Sequence, residues 1–492
     1  TNYTKLACST MFMVFFAGDE LAPKTRIAGE TAQAYLQRHY INAICQVARK
    51  LKDLPHVIGY GAMNEPNMAW IGLDDLHAYK WALQLGPCCT PFQSLSLGNG
   101  LPVSVNHYDH GLLGFKNTGS HVLNPKGVRA YKEGMPCVWE ANGVIEVKDG
   151  KATLLRPRHF AEGQDGRKLH FYNDFFVPFA KRFADAIHDV SPEAMIFVED
   201  APFAPPGAPH MEWEAEDAAA RKIVCADHWY DGISLLMKKY RGWLAYDGER
   251  VQLGYKNAQW GREKGIRDIQ HKAKAYLGDR PWVVGETGIP LDMYDRQAYR
   301  TGEFRQQELA MDRVLAALEV CMASSTIWNY TTDNCNVRGD NWNGEDLSIF
   351  SRDQQKGNGK LDDGGRAVVA AVRPHVRAYV GTAVAQTFDM DTKEFLFRFS
   401  TAEAKPARAA NVFFVPRLHY SDAYEYSVSD GKVILDLDKQ LLMWVHDEAV
   451  QQHELRIWSP AVRRALRMRQ MVIVGCVLML LPLILFIWHR AL

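Results

Sequence analysis

The chain has 492 residues, with 57 basic and 57 acidic side chains and so no formal net charge. That balance removes the electrostatic basis for a nucleic-acid partner, which needs a basic excess. The length suits one large domain with an accessory domain. Nine scattered cysteines, with no C-x-x-C pair, argue against a disulfide framework or a zinc site and suit a reducing compartment.

The chain begins at Thr1 without a methionine and shows no secretory signal, as a fragment lacking its true start would. Leu6–Gly18 is an apolar run too short to span a bilayer, so a buried helix or strand is expected. Glu30–Leu51 carries apolar residues at helical spacing. Val57–Trp70, VIGYGAMNEPNMAW, reads as a buried strand that ends in Asn64-Glu65-Pro66. Proline stops the ladder and is expected to hold Glu65 extended.

Residues 67–158 are Gly-rich and poorly periodic, which predicts an elaborated loop. His107-Tyr108-Asp109-His110 within it has no second ligand cluster and reads as a solvated loop rather than a metal site. Phe171–Val190 is an amphipathic helix, and Met195–Val198 is a strand ending in Glu199-Asp200. Lys222–Tyr230 is a strand ending in His228-Trp229-Tyr230. Helix Gly261–Leu277 precedes Trp282–Pro290, WVVGETGIP, a strand ending in Glu286. Helix Gly302–Met322 precedes strand Ser325–Tyr330, which holds Trp328.

Five strand ends separated mostly by helices are the signature of a parallel (β/α) barrel. Such barrels keep their catalytic groups at the C-terminal ends of the strands. Eight strands make a complete barrel, and the residues before Val57 leave room for one βα unit at most. The barrel is therefore expected to lack its N-terminal strands in this chain. From about His375 the pattern becomes period-two, with Phe395, Phe397 and Phe399 on one face and Asp430-Gly431 as a hairpin turn. The expected fold is α/β: a (β/α)8 TIM barrel over 1–374, N-terminally incomplete, then an antiparallel β-sandwich over 375–460. A basic linker, 461–470, precedes a transmembrane helix, 471–488. That last run, Met471–Trp488, is eighteen residues without a charge. Arg463, Arg464, Arg467 and Arg469 precede it and only His489 and Arg490 follow. The positive-inside rule then puts the catalytic domain in the cytosol, on a single-pass membrane anchor.

Glu65 and Glu286, each at a strand end, are the pair of carboxylates that glycoside hydrolysis requires. Glu199 and Asp200 compete for these roles and are read as structural or rim residues, because Gly-Glu-Thr-Gly suits a nucleophile better. For His228, Tyr230 and Trp328 the alternative reading is a set of core residues.

Asn64-Glu65-Pro66, His228-x-Tyr230, Gly285-Glu286-Thr287-Gly288 and Trp328-Asn329-Tyr330 resemble glycoside hydrolase family 5. Cys8–Lys24, Leu123–Gly127, Phe171–Ala184 and Asp340–Phe350 are similar to the endoglycoceramidase-related branch of eukaryotic β-glucosidases, which act on glucosylceramide and steryl glucosides. The resemblance runs from Thr1 to about Pro460. It implies a retaining enzyme with Glu65 as general acid/base and Glu286 as nucleophile, their carboxyls about 5–5.5 Å apart. It further implies that Asn64 bonds the sugar 2-hydroxyl, Tyr230 bonds Glu286, His228 positions a carboxylate and Trp328 underlies the glucose ring. The implied partner is a glycolipid substrate, with no cofactor and no metal. Endoglycoceramidase or soluble β-glucan hydrolase activity, and a decayed glycolipid-binding protein, stand as alternatives.

Overall fold

The computed structural model describes residues 5–78, 84–111, 114–202, 210–342, 344–403, 409–420, 424–469 and 471. The chain divides into two compact units, Thr1–His228 with Gln270–Gly285, and Trp229–Ile269 with Glu286–Leu492.

In the first unit the apolar N-terminal run is a helix, Leu6–Leu21, with Met13, Phe16 and Ala17 fully buried. Phe15 meets Phe179, and Phe16 meets Phe171, edge-on with ring centroids 5.1 Å apart in both pairs. Such geometry suits the ring quadrupoles. Helix Ala32–Leu51 starts at Thr31, whose hydroxyl accepts the Ala34 N–H at 3.4 Å. Phe171–Phe176 forms a single π-helical stretch that runs into helix Val177–His188.

Three short strands, Gly59–Gly61, Met195–Val198 and Ile223–Cys225, pair in parallel with Met195–Val198 in the centre. Trp282 continues the ladder through a parallel bridge to Cys225. Gly59 fits because the strands approach closely: a Cβ there would lie 2.1 Å from the Met195 carbonyl oxygen. Met195–Val198 has the bounds its apolar run announces, whereas Gly59–Gly61 and Ile223–Cys225 are shorter than theirs.

Residues 67–158 are more ordered than a loop. They hold helix Pro91–Gly98, a long antiparallel hairpin of Val103–Gly111 with Gly114–Leu123, and a second hairpin of Ile145–Lys148 with Lys151–Leu154. Of the described side chains in the long hairpin only Val105 is buried. Strands with so little buried surface carry no apolar alternation to read. The His107–His110 motif is therefore in a strand and not in a loop. The His107 ring lies 3.2 Å from the Thr118 hydroxyl and edge-on to His121.

The second unit contains helix Arg305–Val320, strand Ser325–Ile327 and two four-stranded antiparallel sheets. One sheet runs His375–Ala378, Asn411–Phe414, Leu441–Val445, Lys432–Asp436. The other runs Thr382–Asp389, Glu394–Ser400, Gln452–Trp458, Glu425–Val428. Phe397 packs on Phe413, and Phe399 on Trp444, each pair with centroids 5.4 Å apart. Asp430-Gly431 does not close a hairpin; it joins strands of opposite sheets. The Asp430 carboxylate instead accepts the Asp447 N–H at 2.7 Å and lies 2.9 Å from His453 Nδ1.

Arg373 ties the sheets to helix Arg305–Val320. Its guanidinium donates to Glu319 at 2.7 and 2.9 Å, to Asp312 at 2.7 Å and to the Phe388 carbonyl at 2.8 Å. Glu319 also accepts the Phe388 N–H at 3.1 Å.

The expected fold class is corrected at its C-terminal end. Among the described residues no helix is long and apolar enough to cross a membrane. Beyond Met471 the run Met471–Trp488 lies outside the described residues. Hydropathy of a run measures only whether a span has the required length, and no described helix supports this one.

Two predictions follow from these buried groups. Arg373→Met takes the guanidinium from buried Glu319, which keeps only the Phe388 N–H, and from Asp312, which keeps Arg313 at 3.2 Å; breaking such a buried pair costs about 3–5 kcal/mol, and the denaturant midpoint is expected to fall, as read by urea titration. His159 and His419 are each pushed by burial down to about 4. Each spends both ring nitrogens on neutral-state contacts, His159 on Leu21 and Arg156 and His419 on Val372 and Lys393. Unfolded, they titrate near about 6.5. Their contribution is therefore full above about pH 6.5 and is lost as pH falls toward about 4, because only the unfolded chain takes up the protons. Melting temperature against pH is expected to decline across that window, and less steeply in His159→Gln/His419→Gln.

Candidate active site

Glu65 follows the Gly59–Gly61 strand, which continues one residue further through the Ala62 N–H to the Phe197 carbonyl at 2.8 Å. Its backbone is not extended, as the proline rule suggests, but left-handed, with φ +45°. A non-glycine residue in this region costs of order 1–3 kcal/mol and persists only where its surroundings determine it. Those surroundings are specific. Pro66 and Asn67 are buried, and Asn67 Oδ1 accepts the Ala69 N–H at 2.9 Å. Asn64 is exposed.

His228 lies between two carboxylates. Its Nδ1 is 3.1 Å from Glu65 Oε1, and its Nε2 is 2.9 Å from Glu199 Oε2. Glu199 also accepts the backbone N–H of Glu65. Burial pushes the Glu199 carboxyl up and the Glu65 charge adds to that; the bond to His228, its charge and the Glu65 N–H oppose it.

Beside this group lies a buried ion cluster. Lys272 Nζ is 2.5 Å from Asp200 and 2.9 Å from Asp227, and Asp227 Oδ1 accepts the Asp200 N–H at 2.9 Å. Burial pushes Asp227 up, with the Asp200 charge adding to it. Lys272 loses charge stability by burial, but Asp227 and Asp200 more than offset that and hold it protonated. The Tyr172 hydroxyl accepts the Ala201 N–H at 2.8 Å and fixes the same strand end from the other side.

In the second unit Tyr230 donates to Glu286 Oε1 at 2.5 Å. The Trp229 N–H bonds the Glu286 carbonyl at 2.9 Å, so main chain and side chain of the His-Trp-Tyr segment grip the same residue. The glycines of Gly-Glu-Thr-Gly have steric reasons. In the first unit a Cβ on Gly285 would lie 2.2 Å from the Ala226 carbonyl oxygen. In the second, a Cβ on Gly288 would lie 2.2 Å from that of Trp328.

Trp328 is half-buried; its N–H donates to the Thr287 carbonyl at 2.7 Å, and the Trp328–Asn329 peptide is cis. Behind it a buried network anchors the following loop. Arg366 bonds Asp346 at 2.5 and 3.2 Å, and Asn334 bridges Asp340 and Asp346 at 2.7 and 3.0 Å. Asp340 reaches Asn329 at 3.3 Å.

The structure thus brings Glu65 onto His228 and Tyr230 onto Glu286. For Asn64 and Trp328 it shows position in the strand ends. Glu199, read from the sequence as a structural or rim residue, lies largely buried against His228, and Lys272 has no sequence signal beyond its place in an amphipathic helix.

A glucosylceramidase of Rhizopus delemar is 33% identical over 450 residues, which are 86% of this chain and 65% of that protein. Residues 373–457 match the model of the glycoside hydrolase family 5 C-terminal domain. The chain thus carries a glycoside hydrolase family 5 C-terminal domain and is similar to glucosylceramidases. An ergosteryl-β-glucosidase of Saccharomyces cerevisiae is 28% identical over 552 residues, covering 92% of this chain and 71% of the relative. The crystal structure of Cryptococcus neoformans sterylglucosidase 1 superposes with a TM-score of 0.85 at 27% identity, over 94% of this chain and 72% of that one. The chain spans about two thirds of the length of the Rhizopus relative.

Tyr230→Phe removes one hydrogen bond to a carboxylate, a contact worth about 1.5–3 kcal/mol. A roughly 10- to 100-fold loss in kcat/KM on an aryl β-glucoside is expected, with an unchanged circular dichroism spectrum.

Proposed function

We propose that this chain is a retaining β-glucosidase of a lipid glucoside, glucosylceramide or a steryl glucoside. The observation that carries the reading is the different company of the two strand-end glutamates. Glu65 lies on an imidazole nitrogen, a group able to share a proton with it. Glu286 receives a hydrogen bond from a phenol, which favours the ionised form. These are the requirements of an acid/base and of a nucleophile.

In the first step the Glu286 carboxylate attacks the anomeric carbon. The bond from that carbon to the aglycone oxygen breaks, and the Glu65 proton goes to the departing oxygen. In the second, Glu65 as carboxylate takes a proton from water, which attacks the glycosyl-enzyme and frees Glu286 and β-glucose. Asn64 is proposed to bond the sugar 2-hydroxyl and Trp328 to lie under the ring. The lipid aglycone is inferred from relatives that carry glucosylceramidase and ergosteryl-β-glucosidase names.

Three outcomes test this. Purified full-length protein is expected to release glucose from glucosylceramide or ergosteryl glucoside presented in mixed micelles; release from soluble β-glucan alone would transfer the assignment to a glucanase. Glu286→Gln is expected to abolish turnover, while Glu65→Gln spares the first step for a dinitrophenyl glucoside, whose leaving group needs no proton. Proton NMR of fresh product is expected to show the β anomer first, and an initial α anomer would rule out retention.

A further inference from the structure

We propose that Glu199 is a positioning residue for Glu65, holding its backbone directly and its carboxyl through His228. This deepens, and rests on, the assignment of Glu65 as acid/base.

The geometry is a closed ring of contacts. Glu199 accepts the Glu65 N–H. Its Oε2 lies 2.9 Å from His228 Nε2, and His228 Nδ1 lies 3.1 Å from Glu65 Oε1. Each link has a consequence. The first holds the amide of a residue whose φ, +45°, is unfavourable for glutamate and has to be fixed from outside. The second sets the imidazole. Burial disfavours the ionised form of Glu199, while His228 and the Glu65 N–H favour it; as the ionised carboxylate it offers no hydrogen, so the ring nitrogen facing it carries one. In the neutral ring the proton is then on Nε2, and Nδ1 presents a lone pair to Glu65. Glu65 can meet that lone pair only as the protonated acid, donating to Nδ1, which is the form the first chemical step uses. When Glu65 has given its proton to the departing oxygen, the same ring can take a proton from solvent and, as imidazolium, donate from both nitrogens to both carboxylates; it returns that proton to solvent when the attacking water reprotonates Glu65. Glu199 thereby supports both forms of a group that must alternate between them.

The ring is braced from below. Asp200 follows Glu199 and Asp227 precedes His228 in the chain, and Lys272 bonds both aspartates. Two adjacent strand ends are thus locked at the spacing the Glu199–His228 contact needs. Tyr40 is the other titratable group that senses Glu199. Its phenol is pushed up by burial and by the Glu199 charge, and its hydroxyl donates to the Ala62 carbonyl at 2.9 Å, not to the carboxylate.

The test uses Glu199→Gln, Glu199→Asp and His228→Gln in the full-length protein, with two readouts. The first is kcat/KM on a dinitrophenyl glucoside against an alkyl glucoside, whose leaving oxygen needs a proton. Glu199→Gln is expected to lower the alkyl substrate by 100-fold or more and the dinitrophenyl substrate by less than 5-fold. His228→Gln should show the same split and Glu199→Asp an intermediate one. An equal fall on both substrates, or no fall on either, overturns the proposal. The second readout is ¹⁵N NMR of labelled histidine, with His228 assigned from its Gln variant. The wild-type ring is expected to carry hydrogen on Nε2, and Glu199→Asp and Glu199→Gln to lose that preference in graded order. Unchanged ring signals in a folded variant overturn the proposal. This readout needs no turnover, so a wild-type protein that cleaves no glucoside would refute the enzyme assignment without obscuring whether Glu199 governs His228.

Discussion

The contact on which the proposed site depends is the imidazole of His228 between Glu65 and Glu199; as the proposed acid/base, Glu65 has to be held in one place while its charge changes. A cation partner would hold Glu65 only when ionised, and a carbonyl only when protonated. Imidazole can accept at one nitrogen or donate at both, so it serves either state. That flexibility is useful only if the ring cannot turn, and Glu199 supplies the fixed end. The left-handed backbone of Glu65, φ +45°, stands at the same point of the chain, where its N–H is taken by Glu199.

Glu286, the proposed nucleophile, has the opposite need and an opposite environment. A nucleophile is held best by a donor that does not itself take up a proton, and the Tyr230 phenol at 2.5 Å is such a donor. Its neighbours are small for a steric reason. Gly285 passes the Ala226 carbonyl and Gly288 the Trp328 carbonyl with no room for a methyl group. The motif Gly-Glu-Thr-Gly is therefore a packing statement as much as a chemical one, and its two glycines fix where the glutamate between them emerges.

The parts of the site that were legible in sequence are those with local signatures. Asn64-Glu65-Pro66 and Gly285–Gly288 combine an apolar approach, a carboxylate and a stop within a few residues. His228 and Tyr230 stand two residues apart at one predicted strand end, the spacing that puts side chains on one face, so both can be named. Glu199 was visible as a strand-end acid but its role was not, because that role depends on parallel pairing between Met195–Val198 and its neighbours, which no local pattern encodes. Lys272 is 45 residues from Asp227, with only the folded chain to connect them. The long hairpin in residues 67–158 escaped because its strands are solvated on both sides. Asp430-Gly431 misled because the dipeptide favours a tight turn without saying which strands it joins. The span read at Met471–Trp488 rested on composition alone.

The buried charges explain how strand ends so short can place chemistry accurately. Burying an ion pair gains little stability compared with apolar packing, because desolvation consumes most of the Coulomb attraction. What it adds is directionality: a buried guanidinium or ammonium tolerates few arrangements of its carboxylates. Lys272 with Asp200 and Asp227 sits one residue from Glu199 and from His228. Arg366 with Asp346 lies behind Trp328, where Asp340 and Asn334 carry the order forward to Asn329. Arg373 with Asp312 and Glu319 performs the same service away from the strand ends, joining a helix to a sheet. Asp200, Asp227 and Asp346 stand where backbone leaves regular structure, so that main-chain hydrogen bonding can no longer define position. The three-residue ladders need extend no further than they do, since beyond them the register is carried by charge.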